Sequence, residues 1–325
     1  MKIKEIGGEF ALIDQLKQIV SMDRADLIVG IGDDAAVIRT APEPASYLLV
    51  TTDILAEGSH FKTQWATAEQ IGIKAAEVNL SDIAAMGGTP SWMFISLVLA
   101  EGVEAEWVHG LYKGIADRCR RHGVAVAGGD TTRGMVNTIN ITLMGSVSPH
   151  ELCLRSHARP GDILMVTGPL GASAAGLGLL LEDKQPSAYL FEKHVAPTCR
   201  LDISASIACL ANAMIDISDG LGSEVHHICR RSKTGACIDA GLIPVHPDVK
   251  AAAITLGMNP LEFALSGGED FELLFSIDPV NLKELEKTDV TYYQVGQITE
   301  MSEGVTLLTP DGNKIPLPGG YDHFV

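Results

Sequence analysis

The stretch GIGDDAAV, residues Gly30–Val37, decides what kind of fold opens the chain. It follows a short apolar run, Asp26–Val29, that reads as a strand ending at glycine. Gly30-Ile31-Gly32-Asp33-Asp34-Ala35 fits the G-x-G-x-x-A turn of a dinucleotide-binding fold, with Asp53 near the spacing of the ribose-binding acid. Two features oppose that reading. The x-x pair is two aspartates, which repel a pyrophosphate resting on backbone N–H groups unless a cation intervenes, and the residues from Ala35 onward pattern as strand, not helix. The chain also has no G-x-x-x-x-G-K-[ST] loop, so a bound ATP would need another architecture.

Outward from this stretch, the first half alternates helix-like and strand-like segments. Phe10–Val20 places Leu12, Ile13, Leu16, Ile19 and Val20 at helical spacing, and Tyr47–Thr52 reads as a strand that Asp53 ends. A long helix runs from Thr67, boxed with Gln70, to Met86, where Gly87-Gly88 and Pro90 stop it. Strand Met93–Leu99, helix Glu104–His122 closed by Gly123, and strands Val124–Ala127 and Ile139–Val147 follow. After the turn at Pro160-Gly161-Asp162 the spacing predicts strand Ile163–Val166, helices Ala172–Leu181 and Leu201–Ala211, strand Ala213–Ile217 and helix Leu221–Arg231. Strand Phe271–Ile277, helix Leu282–Glu286, strand Thr291–Ile298 and a hairpin turned at Asp311-Gly312 complete the chain. The expectation is an α/β or α+β protein of two domains, 1–149 and 150–325.

Composition agrees with two packed cores. The 325 residues are 46% hydrophobic, which excludes a disordered chain. A net charge of −17 argues against holding bare nucleic acid, whose phosphates are bound by clustered Lys and Arg. Glu5 and Glu9 interrupt what would be the apolar segment of a signal peptide, and no apolar run reaches the roughly 18 residues of a membrane span. These features predict an unexported, cytoplasmic protein with no membrane partner. The six cysteines form no C-x-x-C pair and read as reduced, mostly buried thiols.

Aspartates carry the chemical signal. Asp33 and Asp34 follow the glycines of the first strand, Asp53 follows Thr51-Thr52, Asp130 follows Gly128-Gly129, and Asp216 and Asp219 lie in IDISDG. One such Asp-Gly is ordinary turn chemistry, but repetition at several strand ends points to a site. Asp82 sits in the last turns of a helix, where the dipole disfavours a carboxylate, so either a cation offsets it or Lys74, Glu77 and Asp82 form a solvated face. Carboxylates and hydroxyls with almost no Cys or His are hard ligands suited to Mg²⁺ or Mn²⁺, and such ions commonly bridge to substrate phosphates. Gly168-Pro169-Leu170-Gly171 before a helix reads either as a tight turn or as a phosphate cradle. Ser266-Gly267-Gly268-Glu269-Asp270 reads either as a flexible loop or as a place of ligand approach.

Taken in order, GIGDDAAV, TTD (Thr51–Asp53), NLSDIAAMGGTP (Asn79–Pro90), GGDTTRG (Gly128–Gly134), IDISDG (Ile215–Gly220), SGGEDFEL (Ser266–Leu273) and GYDHF (Gly320–Phe324) resemble the thiamine-monophosphate kinase family over nearly the whole chain. Single motifs are shared with aminoimidazole ribonucleotide synthetase, selenophosphate synthetase and the hydrogenase-maturation dehydratase. The first cysteine is Cys119 and the chain ends His323-Phe324-Val325, which separates it from the last two. The aminoimidazole enzyme is the alternative activity, and a silent nucleotide-binding scaffold the alternative class. The resemblance implies an aminoimidazole-ribonucleotide-synthetase-like architecture, with a first domain pairing strands across a homodimer and a second α/β domain closing over ATP and several Mg²⁺ ions. It implies Asp33, Thr51, Thr52, Asp53, Asp82, Asp130, Asp216 and Asp219 as metal ligands. It places Tyr112, Gly129, Asp130, Arg155 and Ser218 at the nucleotide, and His60, Glu269 and Tyr321 at thiamine phosphate, with His323 and Phe324 as rival aromatic contacts. The implied reaction is direct transfer from ATP to thiamine monophosphate without a protein nucleophile or base.

Overall fold

The computed structural model describes residues 3–20, 22, 24–42 and 45–321; His323 and Phe324 lie outside the described residues. The first half comprises α1 (Gly8–Val20), β1 (Leu27–Val29), β2 (Ala36–Ile38), β3 (Tyr47–Ala56), α2 (Ala68–Ala85), β4 (Thr89–Ala100), α3 (Ala105–His122), β5 (Ala125–Gly134) and β6 (Thr138–Val147). Its six strands run in the order β1-β2-β3-β6-β4-β5. All pairs are antiparallel except β4 with β5, whose parallel pairing needs the crossover that α3 supplies. Alternation gives the sheet one buried face, with Met93, Ile95 and Leu97 on β4 and Ile139, Ile141 and Leu143 on β6, while Trp92, Phe94 and Ser96 face outward. Helix α2 packs on the buried face. Its capping box at Thr67 and Gln70 forms in both directions, and Gly123 closes α3 in the left-handed conformation.

Two strands run further than their polar ends suggest. β3 continues to Ala56 and β5 to Gly134, so Asp53 and Asp130 lie inside strands and do not end them. The TTD and GGDTTRG segments have weak strand propensity, but their neighbours supply the ladder: Asp53 pairs with Ile141 and Asp130 with Ser96.

The second half comprises β7 (Ile163–Val166), α4 (Ala172–Leu181), α5 (Ala188–Val195), α6 (Leu201–Ala208), β8 (Ala211–Asp216), α7 (Leu221–Ser232), β9 (Gly235–Asp239), α8 (Pro247–Leu256), α9 (Pro260–Ser266), β10 (Leu273–Ile277), α10 (Leu282–Leu285), β11 (Tyr293–Thr299), β12 (Val305–Leu308) and β13 (Lys314–Pro316). Its sheet order is β13-β12-β9-β11-β7-β10-β8. β10 is buried at every residue because helices cover both faces, α7 and α9 on one and α6 and α10 on the other. The expected helix Leu201–Ala211 stops at Ala208, where the chain turns into β8. The sequence reading passed over β9, α5, α8 and α9. β9 opens at a glycine packed against the Glu300 and Gly304 carbonyls, and α8 and α9 start at prolines that also suit a loop, with His246 and Asn259 as their caps. The hairpin at Asp311-Gly312 joins β12 to β13.

Helix α2 belongs to both halves. Ile71, Ala75 and Ile83 join the first core, whereas Ala84 and Ala85 pack with Met165, Met214 and Phe275 of the second sheet. Its contact with α3 is close. A Cβ on Gly114 would lie 2.0 Å from the Glu69 carbonyl oxygen, and one on Gly72 the same distance from that of Leu111. Gly114→Ala gains about 1 kcal/mol of helix propensity, but the clash is with backbone, so overpacking of about 1–3 kcal/mol or more prevails. Urea denaturation should therefore show a less stable variant; an unchanged or raised midpoint would refute this packing argument.

Candidate active site

Three carboxylates from distant parts of the chain meet. Asp34, in the turn after Gly32, Asp82 on α2 and Asp216 at the end of β8 each place a ligand oxygen within 4.8 Å of the others. The NLSD turn of α2 organises them. Asn79 accepts the Asp53 backbone N–H at 3.2 Å, Ser81 donates to Asp216 at 2.6 Å, and Asp82 accepts the Thr51 hydroxyl. Arg155 grips Asp34 through two guanidinium nitrogens, and its backbone N–H donates to Asp33 at 3.3 Å.

These groups are too close and too buried to ionise freely. Burial first, then the neighbouring aspartates, push Asp82 well above the carboxylate range; burial and Asp34 do the same to Asp216. Asp33 is pushed up to about 7 by burial and Asp34, against the pull of Arg155. Burial raises Asp53 as well, with the Asp82 carboxyl beside it pulling the other way. The donor set is carboxylate oxygen with the hydroxyls of Thr51 and Ser81 nearby, which fits a hard divalent cation.

Two cavities of about 350 Å³ each meet at this cluster. One is lined by Asp53, Asp82, Asp216 and Asp219 together with His60, Glu269 and Tyr321. The other is lined by Asp33, Asp34, Thr51, Thr52, Arg155 and Arg231. Phe10 of α1 lines both and packs edge-on against His227 at 4.4 Å between ring centroids.

Close backbone packing shapes the first cavity. The Ser218 carbonyl accepts the Glu269 N–H at 2.7 Å, and the Asp219 carbonyl accepts that of Tyr321 at 2.9 Å. A Cβ on Gly268 would stand 2.4 Å from the first carbonyl oxygen and one on Gly320 2.2 Å from the second, so the glycines of SGGED and GGY permit this convergence on IDISDG. Glu269 then faces Lys74. Burial alone would raise its pKa, but the Lys74 ammonium beside it holds it below the ordinary value. His194, lowered to about 4 by burial and Lys74, is neutral.

The structure separates some of the expected residues. Thr51 and Asp53 face α2, but Thr52 lies on the open face, bonded to Thr142 and Asn140. Asp130 shares that open face three strands away, paired with Ser96, and Gly129 beside it leaves no room for a Cβ against the Ile95 carbonyl. Tyr112 is exposed on α3 and lines neither cavity. The supposed solvated face of α2 is instead interior: Lys74 and Glu77 are buried, with Glu77 accepting the Cys199 N–H at 2.8 Å. The Gly168–Gly171 turn holds no open cradle, since Asp270 already accepts the N–H groups of Gly171 and Ala172 at 2.6 and 3.1 Å. Beyond the expected set, the structure adds Asp34, Lys74 and Glu224, the last accepting the Asp219 N–H at 3.0 Å. The repeated acid in GDD signalled Asp34; Glu224 had no signal beyond its place in the first turn of a helix.

A buried carboxylate cluster between two α/β layers defines a class. Residues 32–147 match the N-terminal domain and residues 159–307 the C-terminal domain of AIR synthase related proteins. The thiamine-monophosphate kinase of Escherichia coli (strain K12) is 37% identical, covering 98% of each chain, and that of Aquifex aeolicus (strain VF5) is 37% identical over 100% of both. A solved structure described as AaThiL complexed with AMPPCP and TMP superimposes with a TM-score of 0.87 at 36% identity, covering 100% of this chain and 99% of that one. The chain belongs to the thiamine-monophosphate kinase family.

The cluster sets a pH-dependent expectation. Because Asp33 is raised, its contribution to stability in metal-free protein is complete below its unfolded pKa near 4 and is lost as pH rises toward 7. A cation relieves the repulsion that replaces it. Millimolar Mg²⁺ should raise Tm by an increment that grows from about pH 5 to about pH 8, with saturation near a hundred times Kd worth about 2.7 kcal/mol. Thermal melts with EDTA or Mg²⁺ at both pH values check this, and an equal increment at both would contradict it.

Proposed function

We propose that this chain transfers the γ-phosphoryl group of ATP to thiamine monophosphate, forming thiamine diphosphate. The observation that supports it most is the acidic cluster, drawn from both domains, at the junction of two cavities. The cavity with His60, Glu269 and Tyr321 suits the acceptor: it offers acceptor atoms and an aromatic face to a cationic, nitrogen-rich ring system. The Arg155 cavity suits the polyphosphate, with Ser218 of IDISDG facing the junction. Mg²⁺ ions held by Asp33 or Asp34, Thr51, Asp53, Asp82, Asp216 and Asp219 would neutralise the phosphates and align donor with acceptor. An acceptor phosphate oxygen is already ionised near neutral pH, so the protein's part is positioning, and no side chain is assigned as base or nucleophile.

Asp130, Gly129 and Thr52 fit a second role. β5 is an edge strand exposed along nearly its whole length, and the outward face beside it carries Trp92 and Phe94, 50% and 39% exposed. Such an edge normally finds cover. We infer that a second copy covers it in a homodimer, so that Asp130, Gly129 and Thr52 complete the nucleotide end of the site at the interface. Among the described residues no helix is long and apolar enough to cross a membrane, and all six cysteines are free thiols, which supports a cytoplasmic setting.

Two measurements test these readings. Offered thiamine monophosphate, thiamine and formylglycinamidine ribonucleotide side by side with ATP, the enzyme should turn over the first alone, and Asp53→Asn or Asp219→Asn should lower kcat by about a hundredfold or more. Comparable use of free thiamine would refute the shared-phosphate arrangement, and turnover of the ribonucleotide would transfer the chain to the aminoimidazole reaction. In sedimentation, the wild type should run at twice the chain mass, and Phe94→Glu should yield monomers with impaired use of ATP. A monomeric, fully active wild type would refute the interface.

A further inference from the structure

Lys74 is 1% exposed, on the helix that also carries Asp82 of the carboxylate cluster. It lines a small cavity with Phe61, Ile71 and Val195 as well as His60, Trp65 and His194, and burial this deep disfavours an unpaired charge. The ammonium is nevertheless fully used. It donates to the His60 backbone oxygen at 2.8 Å and lies 2.7 and 2.8 Å from the two oxygens of Glu269. His60 stands on the loop after β3 in the first domain, whereas Glu269 stands on the loop before β10 in the second. Both line the cavity assigned to the acceptor. Glu269 is also held in the left-handed backbone region, at φ +67°, a conformation a glutamate keeps only when its surroundings fix it.

We propose that Lys74 is the positioning residue of the acceptor end of the site: its ammonium ties the His60 loop to Glu269, setting the separation between the two walls that hold thiamine monophosphate. The inference rests on the assignment of His60 and Glu269 to the acceptor made above. A carboxylate has about four lone-pair directions. Lys74 approaches both oxygens and the Ser173 hydroxyl reaches Oε2 at 3.4 Å, which leaves the remaining directions, chiefly on Oε1, to meet hydrogen-bond donors in the cavity, while the ammonium offsets the carboxylate's charge. Recognition at Glu269 is therefore directional, suited to an amino-substituted ring, and not a bare attraction for any cation. Because His60 and Glu269 line the cavity and Lys74 does not, it acts on the acceptor through its two partners.

The test is a double-mutant cycle in the full-length enzyme, with KM for each substrate and kcat measured for the wild type, Lys74→Met, Glu269→Gln and the double variant. Lys74→Met should raise KM for thiamine monophosphate by about tenfold or more, as expected for loss of charge-assisted bonds, with KM for ATP within about twofold. The double variant should be no worse than Glu269→Gln alone, because both changes remove one linkage. Lys74→Arg, which keeps the charge, should fall between the wild type and Lys74→Met. Should Lys74→Met fail to fold, Lys74→Gln carries the same expectation. Multiplicative losses in the double variant, or an equal rise in both KM values, would overturn the proposal. A raised KM for thiamine monophosphate in Glu269→Gln with none in Lys74→Met would overturn it while leaving the acceptor assignment standing. An unchanged KM in Glu269→Gln would overturn the assignment itself, and the proposal with it.

Discussion

Mutual repulsion among buried carboxylates is the constraint around which this molecule is arranged. Asp34, Asp82 and Asp216 are brought within a few ångströms of one another by segments from both domains, and Asp33 and Asp53 crowd the same space. Burial and the neighbouring aspartates push Asp82 and Asp216 well above the usual carboxylate range. The arrangement is unfavourable for the isolated chain, and a cation bound among these oxygens would relieve it. Only Arg155 supplies a fixed positive charge directly against the cluster, through Asp34, among the described residues' salt bridges.

The means of imposing that crowding is α2. An ordinary amphipathic helix hides one stripe and wets the other; α2 is buried on nearly all sides because α3, both sheets and the loop at Cys199 enclose it. Each polar residue on it therefore meets a definite partner. Lys74 meets His60 and Glu269, Glu77 meets Cys199, Asn79 meets β3, Ser81 meets Asp216 and Asp82 meets Thr51. One rigid element thus fixes the carboxylate cluster and the Lys74–Glu269 pair about two helical turns apart.

How much of this was legible depended on which physical rule was visible locally. Caps, glycine stops and alternating strands of the first sheet followed from the sequence, since each depends on neighbours a few residues away. The role of α2 did not. Lys74, Glu77 and Asp82 share a spacing that reads equally as a wet stripe, and tertiary enclosure alone makes them interior. Asp53 and Asp130 were read as strand ends because Thr and Gly beside them weaken the local signal, while the ladders that carry β3 and β5 past them come from β6 and β4. Of the three carboxylates that meet, Asp82 and Asp216 belong to the expected set; the doubled acid of GDD signals that one of the pair is involved, but which of Asp33 and Asp34 reaches the centre depends on the side of a turn from which each carboxylate leaves.

The segment from Glu269 to Glu272 shows how a strained loop can still be accurate. Glu269 and Phe271 both have positive φ, at 67° and 51°, so backbone cost is concentrated on either side of Asp270. Asp270 offsets it by capping α4, and Glu272 by meeting the Thr167 hydroxyl at 2.8 Å and Lys193 at 3.3 Å. With the residues on either side of Phe271 anchored into the second domain, the loop has no slack. Glu269 is left to reach across to Lys74 in the first. An acid on flexible chain would wander; Glu269, placed by two buried anchors, is held against Lys74 in one orientation, the kind of pre-set geometry on which alignment-dependent chemistry relies.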